Sequence, residues 1–458
     1  MSDPQNYIDT SIGKFQNELF DLLRIQSIST DTSKTPDILK AAEYLADQFR
    51  EIGMDAVQIF ETSGHPIVYA EKCLHDDRPT VLIYGHYDVQ PPDPLHKWNS
   101  PPFEPVVRDG RVYARGASDD KGQSFIHIKS VESYLQTGHE LPVDVKFLLE
   151  GEEEIGSPNL VPFIKDHQQM LSCDMVLISD TAMYGEDQPS ITYGLRGLTY
   201  MEIEVNGPNR DLHSGVFGGT VENPANALAG IITQLVDKNG RIQIEGFYDD
   251  VKPLTDSERK AYKKLPFDEE LYKKDIGVKQ LHGEKGYSTP ERASGRPTLD
   301  VNGLWSGYQG EGAKTVLPAT AGAKISMRLV PDQDPKKIAR LFTEHIQKIS
   351  PDTVDVEVTE HHGGYSVIVD LDFYGIKAAA RAFETVYQKE TLFSREGGSI
   401  PIVADFKKVL GADSILMGFG LTKDALHSPN ESFSLKDFHR GIKTSAEFFR
   451  ILPGYSMD

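Results

Sequence analysis

A histidine and an aspartate follow directly after a hydrophobic run in the stretch VLIYGHYDVQPPDP, where they are His86 and Asp88. Side chains of the same kinds follow other hydrophobic runs: Asp180 ends MVLISD, LLEGEEEIGS carries four glutamates, and His427 follows SILMGFG by a loop. The segment ARGASDDKG contributes Asp119 and a second aspartate. Unrelated surface acids would not concentrate after hydrophobic runs, so the pattern predicts a single site built from several strand ends.

Many carboxylates at one edge of a fold repel one another unless cations compensate their charge. The sequence therefore predicts bound divalent metal. Histidine and carboxylate ligands without thiolate suit zinc, manganese or cobalt better than magnesium or calcium. Two ions fit the set. His86 and Asp180 would hold one ion. Glu154 and His427 would hold the other, and Asp119 would bridge the two.

The close spacing of His86 and Asp88 predicts a supporting contact. We expect the carboxylate of Asp88 to fold back and accept the ring hydrogen of His86, which would fix the tautomer and raise the basicity of the ligand. An isolated histidine at a strand end more often has a structural role, and an acidic run such as 152–154 is usually a solvated loop. The same coincidence at several strand ends favours the metal site.

The elements that would position these residues alternate between strands and helices. Hydrophobic runs of strand length are predicted at 81–84, 145–149, 175–178 and 415–419. Helical periodicity predicts helices over 8–24, 36–54, 124–134 and 374–388. Such alternation predicts an α/β fold with a mostly parallel sheet and helices on both faces. In open sheets of this kind, ligands bind beyond the carboxyl ends of the strands.

The middle of the chain has a different pattern. TYMEIEVNG and GAKISMRLVP alternate polar with apolar residues, which is typical of strands with one covered face. Helices are predicted to begin at Asn223 and at Asp334, each followed by proline. We therefore expect an inserted α+β sandwich domain at 197–364. The catalytic domain would comprise 1–196 and 365–458.

The totals exclude some classes of protein. The chain has 458 residues and a formal charge of −21, which argues against broad nucleic-acid binding, since phosphate attraction needs a basic face. No apolar run approaches the ~18 residues of a membrane span. The start, MSDPQNYIDTSIGKF, lacks a basic leader and an apolar stretch, and Cys73 and Cys173 are the two cysteines. We therefore expect a cytoplasmic protein with neither nucleic acid nor membrane as a partner.

The order of several short segments resembles that of a known enzyme family. GHYDVQPPDP, PPFEP, GRVYARGASDDKG, EGEEEIGS, ISD, DLHSG, REGGSIP and LHSPNE follow one another as in the dizinc dipeptidases of the carnosinase and cysteinylglycine dipeptidase type. These enzymes are related to carboxypeptidase G, aminoacylases and succinyl-diaminopimelate desuccinylases. The resemblance covers nearly the whole chain, and it implies that the inserted domain serves as a lid and in dimerisation.

The resemblance implies five metal ligands, the ones proposed above: His86, Asp119, Glu154, Asp180 and His427. It also implies that Glu153 is the general base. A metal lowers the pKa of bound water from ~15.7 toward ~7, so that a metal-bridged hydroxide attacks the peptide carbon. Glu153 would accept the proton and pass it to the leaving amine. Asp88 would orient the ligand His86, while Glu150 and Glu152 would be structural or solvated.

The resemblance assigns further residues to the substrate. His213, in the inserted domain, would reach the active site of the partner subunit in a homodimer and stabilise the tetrahedral oxyanion. Arg328 would pair with the free carboxylate of the dipeptide. Ser399 and the flexible Gly398 would form the loop beside that carboxylate. The other pocket residues implied are Thr315, Asn302 and one of His361 and His362.

The sequence therefore predicts a metallopeptidase that hydrolyses unblocked dipeptides with two divalent ions per chain, zinc first and manganese or cobalt next. An N-acyl amino acid deacylase or desuccinylase would share the machinery but need not recognise a free α-amino group. A noncatalytic metal-binding scaffold would be free to lose Glu153 and the ligands, yet all are present. A nucleotide-dependent oxidoreductase is disfavoured, because no GxGxxG follows the first strand and no GxxxxGK occurs.

Overall fold

The structure is a computed structural model that describes residues 3–73, 77–398 and 400–455. The chain forms two compact units. The first comprises Met1–Tyr193, Val369–Ser394 and Asp405–Asp458, and the second comprises Gly194–Ile368 and Arg395–Ala404. Compactness alone does not establish where an independently folding domain begins, so the domain limits at 197 and 364 stay a prediction.

Strands and helices alternate along the first part of the chain. In chain order the first strands are β1 (Ala56–Phe60), β2 (Ile67–Lys72), β3 (Thr80–His86), β4 (Val106–Arg108), β5 (Arg111–Tyr113), β6 (Asp144–Glu150), β7 (Met175–Ile178), β8 (Ser190–Leu195) and β9 (Gly197–Asn206). The later strands are β10 (Leu212–His213), β11 (Thr298–Ser306), β12 (Val316–Leu317), β13 (Thr320–Leu329), β14 (Asp355–Gly364), β15 (Val367–Ile368), β16 (Leu392–Glu396), β17 (Asp413–Leu416) and β18 (Ser432–Ser434).

The α-helices differ widely in length. In chain order they are α1 (Pro4–Leu23), α2 (Thr35–Ile52), α3 (Lys121–Thr137), α4 (Leu160–Asp166), α5 (Ser214–Phe217), α6 (Pro224–Leu235), α7 (Asp256–Lys264), α8 (Glu269–Asp275), α9 (Pro335–Ile349), α10 (Tyr374–Tyr387), α11 (Pro401–Leu410) and α12 (Leu435–Tyr455). None of the helices within the described ranges combines the length and the apolar character that a membrane span requires.

The central sheet of the first unit is parallel in its middle and antiparallel at its flanks. Its strand order is β1-β2-β6-β3-β7-β17-β8. The strands β6, β3, β7 and β17 run parallel to one another, whereas β1, β2 and β8 pair antiparallel with their neighbours. The predicted α/β fold with a mostly parallel sheet is confirmed. The antiparallel flanks are a detail that the hydrophobic runs did not reveal.

Burial of apolar side chains holds this sheet to its helices. α2 places Ile38, Leu45 and Phe49 on one face at helical spacing, and all three are buried. α3 is buried along nearly its whole length and contacts α1 and α12. Burying one such Leu, Ile or Phe side chain stabilises a fold by about 1.5–3 kcal/mol, so these helices fix the sheet edge on which the site depends.

A small sheet in the first unit joins two distant segments. β18 lies antiparallel to β5, with Ser432 opposite Tyr113, and β4 completes the sheet. β5 precedes the segment that carries Asp119, and β18 follows the loop that carries His427. The pairing therefore brings these two candidate ligands to the same region.

The second unit contains a four-stranded antiparallel sheet in the order β11-β13-β9-β14, and α6 and α9 pack against it. The side chain of Asn223 caps α6 and that of Asp334 caps α9, as the sequence predicted. The strand β11 was not predicted. Its sequence TLDVNGLWS breaks the alternation at a bulge between Val301 and Gly303, and a bulge shifts every later side chain to the other face.

Candidate metal centre

Four of the five predicted ligands lie at or just after the carboxyl ends of adjacent parallel strands of the central sheet, and the fifth, Asp119, lies between β5 and α3. His86 is the last residue of β3, Asp180 follows β7, and Glu154 follows β6. His427 lies on the loop between β17 and β18. The ends of neighbouring parallel strands share one edge of the sheet, which is why residues distant in sequence meet there.

His86, Asp119 and Asp180 form one group of candidate metal ligands. One ligand atom from each residue lies within 4.8 Å of the other two. Nε2 of His86 is buried at 3.1 Å from Oδ1 of Asp119, and it has no hydrogen-bond partner among the residues that the structure describes. Buried polar atoms are nearly always paired, so this nitrogen is suited to bind a cation.

Asp119, Glu154 and His427 form a second group, again with ligand atoms within 4.8 Å of one another. Nε2 of His427 lies 2.9 Å from Oδ2 of Asp119 and 3.3 Å from Oε2 of Glu154. Asp119 therefore presents one carboxylate oxygen to each group. This is the arrangement expected of a ligand that bridges two ions.

Burial makes the charges in this cluster interact strongly. Burial, and then the nearby Asp119, raises the pKa of Asp180 well above its usual range. Burial also opposes ionisation of Asp119, but the adjacent imidazoles of His427 and His86 outweigh it and lower the pKa of that carboxyl. Hydrogen bonds to Asp119 and Glu154 raise the pKa of His427 to about 10. The cluster thus favours positive charge, as a cation site does.

Asp88 contacts both the imidazole and the glutamate segment. Nδ1 of His86 lies 3.1 Å from the main-chain oxygen of Asp88 and 3.4 Å from its Oδ1. Oδ1 accepts the backbone N–H of Glu153 at 3.2 Å, and Oδ2 accepts that of Glu154 at 3.1 Å. The nearer acceptor for the ring is therefore the main chain, and the carboxylate fixes the backbone of the two glutamates.

The four glutamates at the end of β6 and just after it differ in their surroundings. Burial, more than the neighbouring charges, raises the pKa of the Glu153 carboxyl to about 7. Glu150 is buried and hydrogen-bonded to Tyr84, and burial raises its pKa to about 8. Glu152 is buried and accepts the N–H of His65 at 3.0 Å. Glu150 and Glu152 are thus structural rather than solvated.

His213 and Thr315 belong to the second unit and lie side by side. His213 ends β10, which pairs antiparallel with β12, and Thr315 directly precedes β12. The N–H of Ser214 donates to the main-chain oxygen of Thr315 at 3.1 Å. The ring of His213 is exposed, and its Nδ1 accepts the N–H of Gly215 at 3.0 Å. An accepting Nδ1 leaves the hydrogen of the neutral ring on Nε2.

Arg328 and Asn302 lie on neighbouring strands of the sheet in the second unit. Arg328 is half-buried on β13, opposite Thr298 of β11. Burial lowers the pKa of its guanidinium, and Asp300 opposes that shift. Asn302 is exposed at the bulge of β11. Both residues therefore lie on the same sheet. The sequence analysis did not place Asn302 on a strand.

The loop after β16 contains two glycines with different constraints. Gly398 is exposed, and a Cβ there would meet no atom within 4 Å. A Cβ on Gly397 would lie 2.4 Å from the main-chain oxygen of Ala293 and 2.7 Å from Nη2 of Arg196, whose Nε donates to the oxygen of Gly397 at 3.1 Å. Gly397 is thus the position where a side chain cannot be accommodated. Ser399 lies outside the described residues.

His361 and His362 both contact β9 within the second unit. Nε2 of His361 lies 2.9 Å from Oε2 of Glu202. The ring of His362 stacks on Tyr200, with centroids 5.2 Å apart and an interplanar angle of 7°. Each imidazole therefore has a partner on its own sheet.

Comparison with known proteins decides the family. The model of the peptidase family M20/M25/M40 matches residues 82–450, which is most of the chain. The chain belongs to this family. The family predicted from the sequence is confirmed.

Relatives within the M20 family resemble the chain over nearly its full length. The Cys-Gly metallodipeptidase DUG1 of Candida albicans is 36% identical over 453 residues, covering 94% of this chain and 93% of that protein. The human Beta-Ala-His dipeptidase is 31% identical over 448 residues, covering 96% and 86%. The structure of the M20 family metallo-carboxypeptidase Sso-CP2 from Sulfolobus solfataricus matches with a TM-score of 0.86 and 36% identity, covering 96% and 99%.

The chain is therefore an enzyme, a metallopeptidase of the dipeptidase type, as the sequence predicted. The deacylase and scaffold alternatives are not favoured by these relatives. M20 centres are dinuclear, and the donor set of this chain fits two ions. It offers two imidazoles and three carboxylates in two groups that share Asp119, together with a buried ring nitrogen on His86 that no described residue hydrogen-bonds.

Sequence reasoning missed polar residues that hold the M20 ligand segments in place. Nε2 of Gln90 donates to Oε2 of Glu154 at 2.7 Å. Oε1 of Gln123 accepts the N–H groups of Phe419 and Gly420 at 2.7 and 3.0 Å, just after β17. Gln90 lies in the segment GHYDVQPPDP, and Gln123 directly follows the segment ARGASDDKG. An amide close in sequence to a ligand was the available signal, because amides orient carboxylates and loops.

Proposed function

We propose that this protein hydrolyses unblocked dipeptides as a cytoplasmic homodimer, with Cys-Gly and β-Ala-His as the first substrates to test. The two relatives that name these dipeptides support that choice. The observation that carries the proposal is the pair of ligand groups that share Asp119, with Glu153 beside them. Cys73 and Cys173 are both free thiols, which supports a reducing compartment.

The proposed ligands of one ion are His86, Asp119 and Asp180, and those of the other are Asp119, Glu154 and His427. Imidazole and carboxylate without thiolate favour zinc, and manganese or cobalt would also fit. When bound, the two ions supply Lewis acidity that polarises the substrate carbonyl and lowers the pKa of a water molecule. The sharing of Asp119 supports two ions held close together.

Glu153 is the proposed general base and acid. It would take a proton from the attacking water and return it to the amine that leaves when the peptide bond breaks. A carboxyl with a pKa of about 7 can accept and release a proton near neutral pH, which is the condition for efficient acid–base catalysis. The hydrogen bond from its backbone to Asp88 supports a fixed position for this carboxyl.

His213 is the proposed donor to the oxygen that becomes negatively charged during attack. Its Nδ1 is engaged by Gly215, so its Nε2–H is available to donate. Three exposed apolar side chains follow His213 closely in the sequence: Val216 is 67% exposed, Phe217 37% and Val221 40%. Apolar groups in such numbers support a subunit interface at this segment, through which His213 would serve the active site of the other subunit.

Arg328 is the proposed partner of the substrate carboxylate, because a guanidinium binds a carboxylate through two parallel hydrogen bonds. Its half-buried position on β13 would strengthen such a pair relative to one in water. The loop of Gly398 and Ser399, together with Thr315 and Asn302, would complete the pocket.

Product analysis by mass spectrometry tests this function. Metal-reconstituted protein is incubated with a pool of unblocked dipeptides and with a pool of N-acetyl and N-succinyl amino acids. We expect cleavage of the dipeptide pool alone, and the products reveal the side-chain preference. Cleavage of the acyl pool alone would contradict the proposal in favour of a deacylase.

A carboxypeptidase is a second candidate, because the Sulfolobus structure of that name is 36% identical to this chain. The two functions differ in the length of peptide that the site accepts. Comparing Ala-Ala with Ala-Ala-Ala and longer peptides separates them. A dipeptidase loses activity with the third residue, whereas a carboxypeptidase releases the last residue from each peptide.

A further inference from the structure

Two buried acids flank His427 on its loop, and both bind the segment that carries Asp119. Asp424 and Glu431 are each 0% exposed. Oδ2 of Asp424 accepts the hydroxyl of Ser118 at 2.8 Å, and Asp424 also pairs with an arginine of β5. The loop is therefore anchored before and after the imidazole.

The carboxylate of Glu431 has the more complete set of partners. Oε1 accepts the backbone N–H of Ser118 at 3.0 Å and that of Asp119 at 3.2 Å. Oε2 accepts Nη1 of Arg115 at 2.7 Å and the backbone N–H of Gly116 at 3.0 Å. The main-chain oxygen of Glu431 also accepts the N–H of the residue after β5 at 3.1 Å. One side chain thus fixes the backbone of a ligand on the opposite segment.

The loop around His427 needs such anchoring. His427, Ala425 and Asn430 adopt left-handed backbone conformations, with φ of 58°, 59° and 66°, which residues with a side chain rarely occupy. The side chain of His427 is 58% exposed, so packing of the imidazole itself contributes little to its position. Hydrogen bonds at the two ends of the loop must hold this conformation.

We propose that Glu431 is a positioning residue. It holds the segment of Asp119 against the loop of His427, so that both side chains can bind the same metal ion. This proposal rests on the ligand roles in the proposed function. The two ions share Asp119, but His427 on this loop belongs to one of them, whereas the other also has His86, which ends β3, and Asp180, which follows β7. Loss of the Glu431 carboxylate should therefore weaken binding of the His427 ion more than binding of the other ion.

Glu431→Gln tests the proposal with little change in volume. All four partners of the carboxylate are donors, so the new NH₂ group must face either Ser118 and Asp119 or Arg115 and Gly116. Donor would then oppose donor on one side. Loss of a group that orients a metal ligand typically lowers affinity about 10–100-fold, and we expect this loss for the His427 ion and a smaller loss for the ion that shares only Asp119 with it.

The measurement is calorimetric titration of Zn²⁺ into metal-free, full-length protein. Glu132→Gln is the matched control, because Glu132 is equally buried in the same unit and pairs with Lys129 at 2.8 Å. We expect it to bind both ions as wild type does. Unchanged binding of both ions by Glu431→Gln, or an equal loss in the Glu132 control, would overturn the proposal.

Two further variants keep the outcome interpretable. His427→Ala should lose the same ion outright; if it binds both ions normally, the ligand role of His427 is wrong and the proposal falls with it. If Glu431→Gln does not fold, Ser118→Ala removes only the hydroxyl that Asp424 accepts. We expect weaker binding of that ion by Ser118→Ala, and unchanged affinities for both ions would overturn the anchoring of this loop.

Discussion

The carboxylate of Asp88 holds the backbone of Glu154, whose N–H donates to Oδ2 at 3.1 Å. Asp88 follows β3 and Glu154 follows β6, two adjacent parallel strands. The same carboxylate accepts the N–H of Glu153 through its other oxygen. A single aspartate therefore links the histidine segment to the proposed base and to a proposed ligand.

Asp88→Asn should lower metal affinity about 10–100-fold. An amide offers one acceptor, so its NH₂ group would oppose the N–H of Glu153 or of Glu154. Zn²⁺ titration of the metal-free protein measures the loss. Asp93→Asn, an exposed substitution in the same loop, serves as the control and should bind zinc like wild type. Equal affinities for the two variants would show that the Asp88 contacts do not orient the ligands.

Glu153→Gln should lower kcat about 10²–10⁴-fold, the usual contribution of a general acid–base group, while two metal ions still bind. Steady-state kinetics and metal analysis of the same preparation test both statements. Glu152→Gln is the control. The carboxylate of the neighbouring Glu152 accepts the backbone N–H of His65, so its loss should affect stability more than kcat. A Glu153→Gln enzyme with near-normal kcat would remove Glu153 from the proton transfers.

Mixing two inactive variants tests whether His213 acts across the dimer. Glu153→Gln and His213→Asn subunits are unfolded, mixed and refolded. If His213 serves the other subunit, the hybrid dimer has one complete site, and random pairing restores about a quarter of wild-type activity. Each variant refolded alone provides the baseline. A mixture that stays at the baseline would mean that His213 acts within its own chain or not at all.

Arg328→Met should raise KM for dipeptides about 10–150-fold, because a charge-assisted hydrogen bond contributes about 1.5–3 kcal/mol. The same variant should have little effect on dipeptide amides, which lack the carboxylate. Lys324→Met removes an exposed cation from the same strand β13 and controls for a general change in charge. A similar effect on acids and amides would exclude pairing of Arg328 with the carboxylate.

His127 should make stability depend on pH. It is fully buried between the hydroxyls of Ser445 and Ser179, at 2.8 and 2.7 Å, and burial lowers its pKa from 6.5 to about 3. Between these values the unfolded chain binds one more proton than the folded chain. The stabilisation is therefore complete above pH 6.5 and decreases as the pH falls toward 3.

Urea unfolding of wild type and of His127→Gln at several pH values measures this effect. All titrating groups other than His127 are the same in the two proteins. Below pH 6 the free energy of unfolding of wild type should fall more steeply than that of the variant, by about 1.4 kcal/mol per pH unit. Parallel curves would mean that His127 can be protonated in the folded protein.

Much of the scaffold was predictable because its signals are local. The runs at 81–84, 145–149 and 175–178 lie within β3, β6 and β7, since a buried parallel strand needs a continuous apolar stretch. The strand β11 was missed because its bulge at Asn302 interrupts the alternation that the prediction uses. Its partner β13 was found because its alternation is unbroken.

The sequence by itself determined which residue types follow the hydrophobic strands, and hence a metal centre of histidines and carboxylates, because residue type and apolar runs are properties of neighbouring residues. Only the tertiary structure decided which acids meet. It placed Asp119 between His86 and His427, turned the Asp88 carboxylate toward Glu153, and bound Glu431 to the Asp119 segment. These contacts depend on strand order and on pairing between distant segments, which no local pattern specifies.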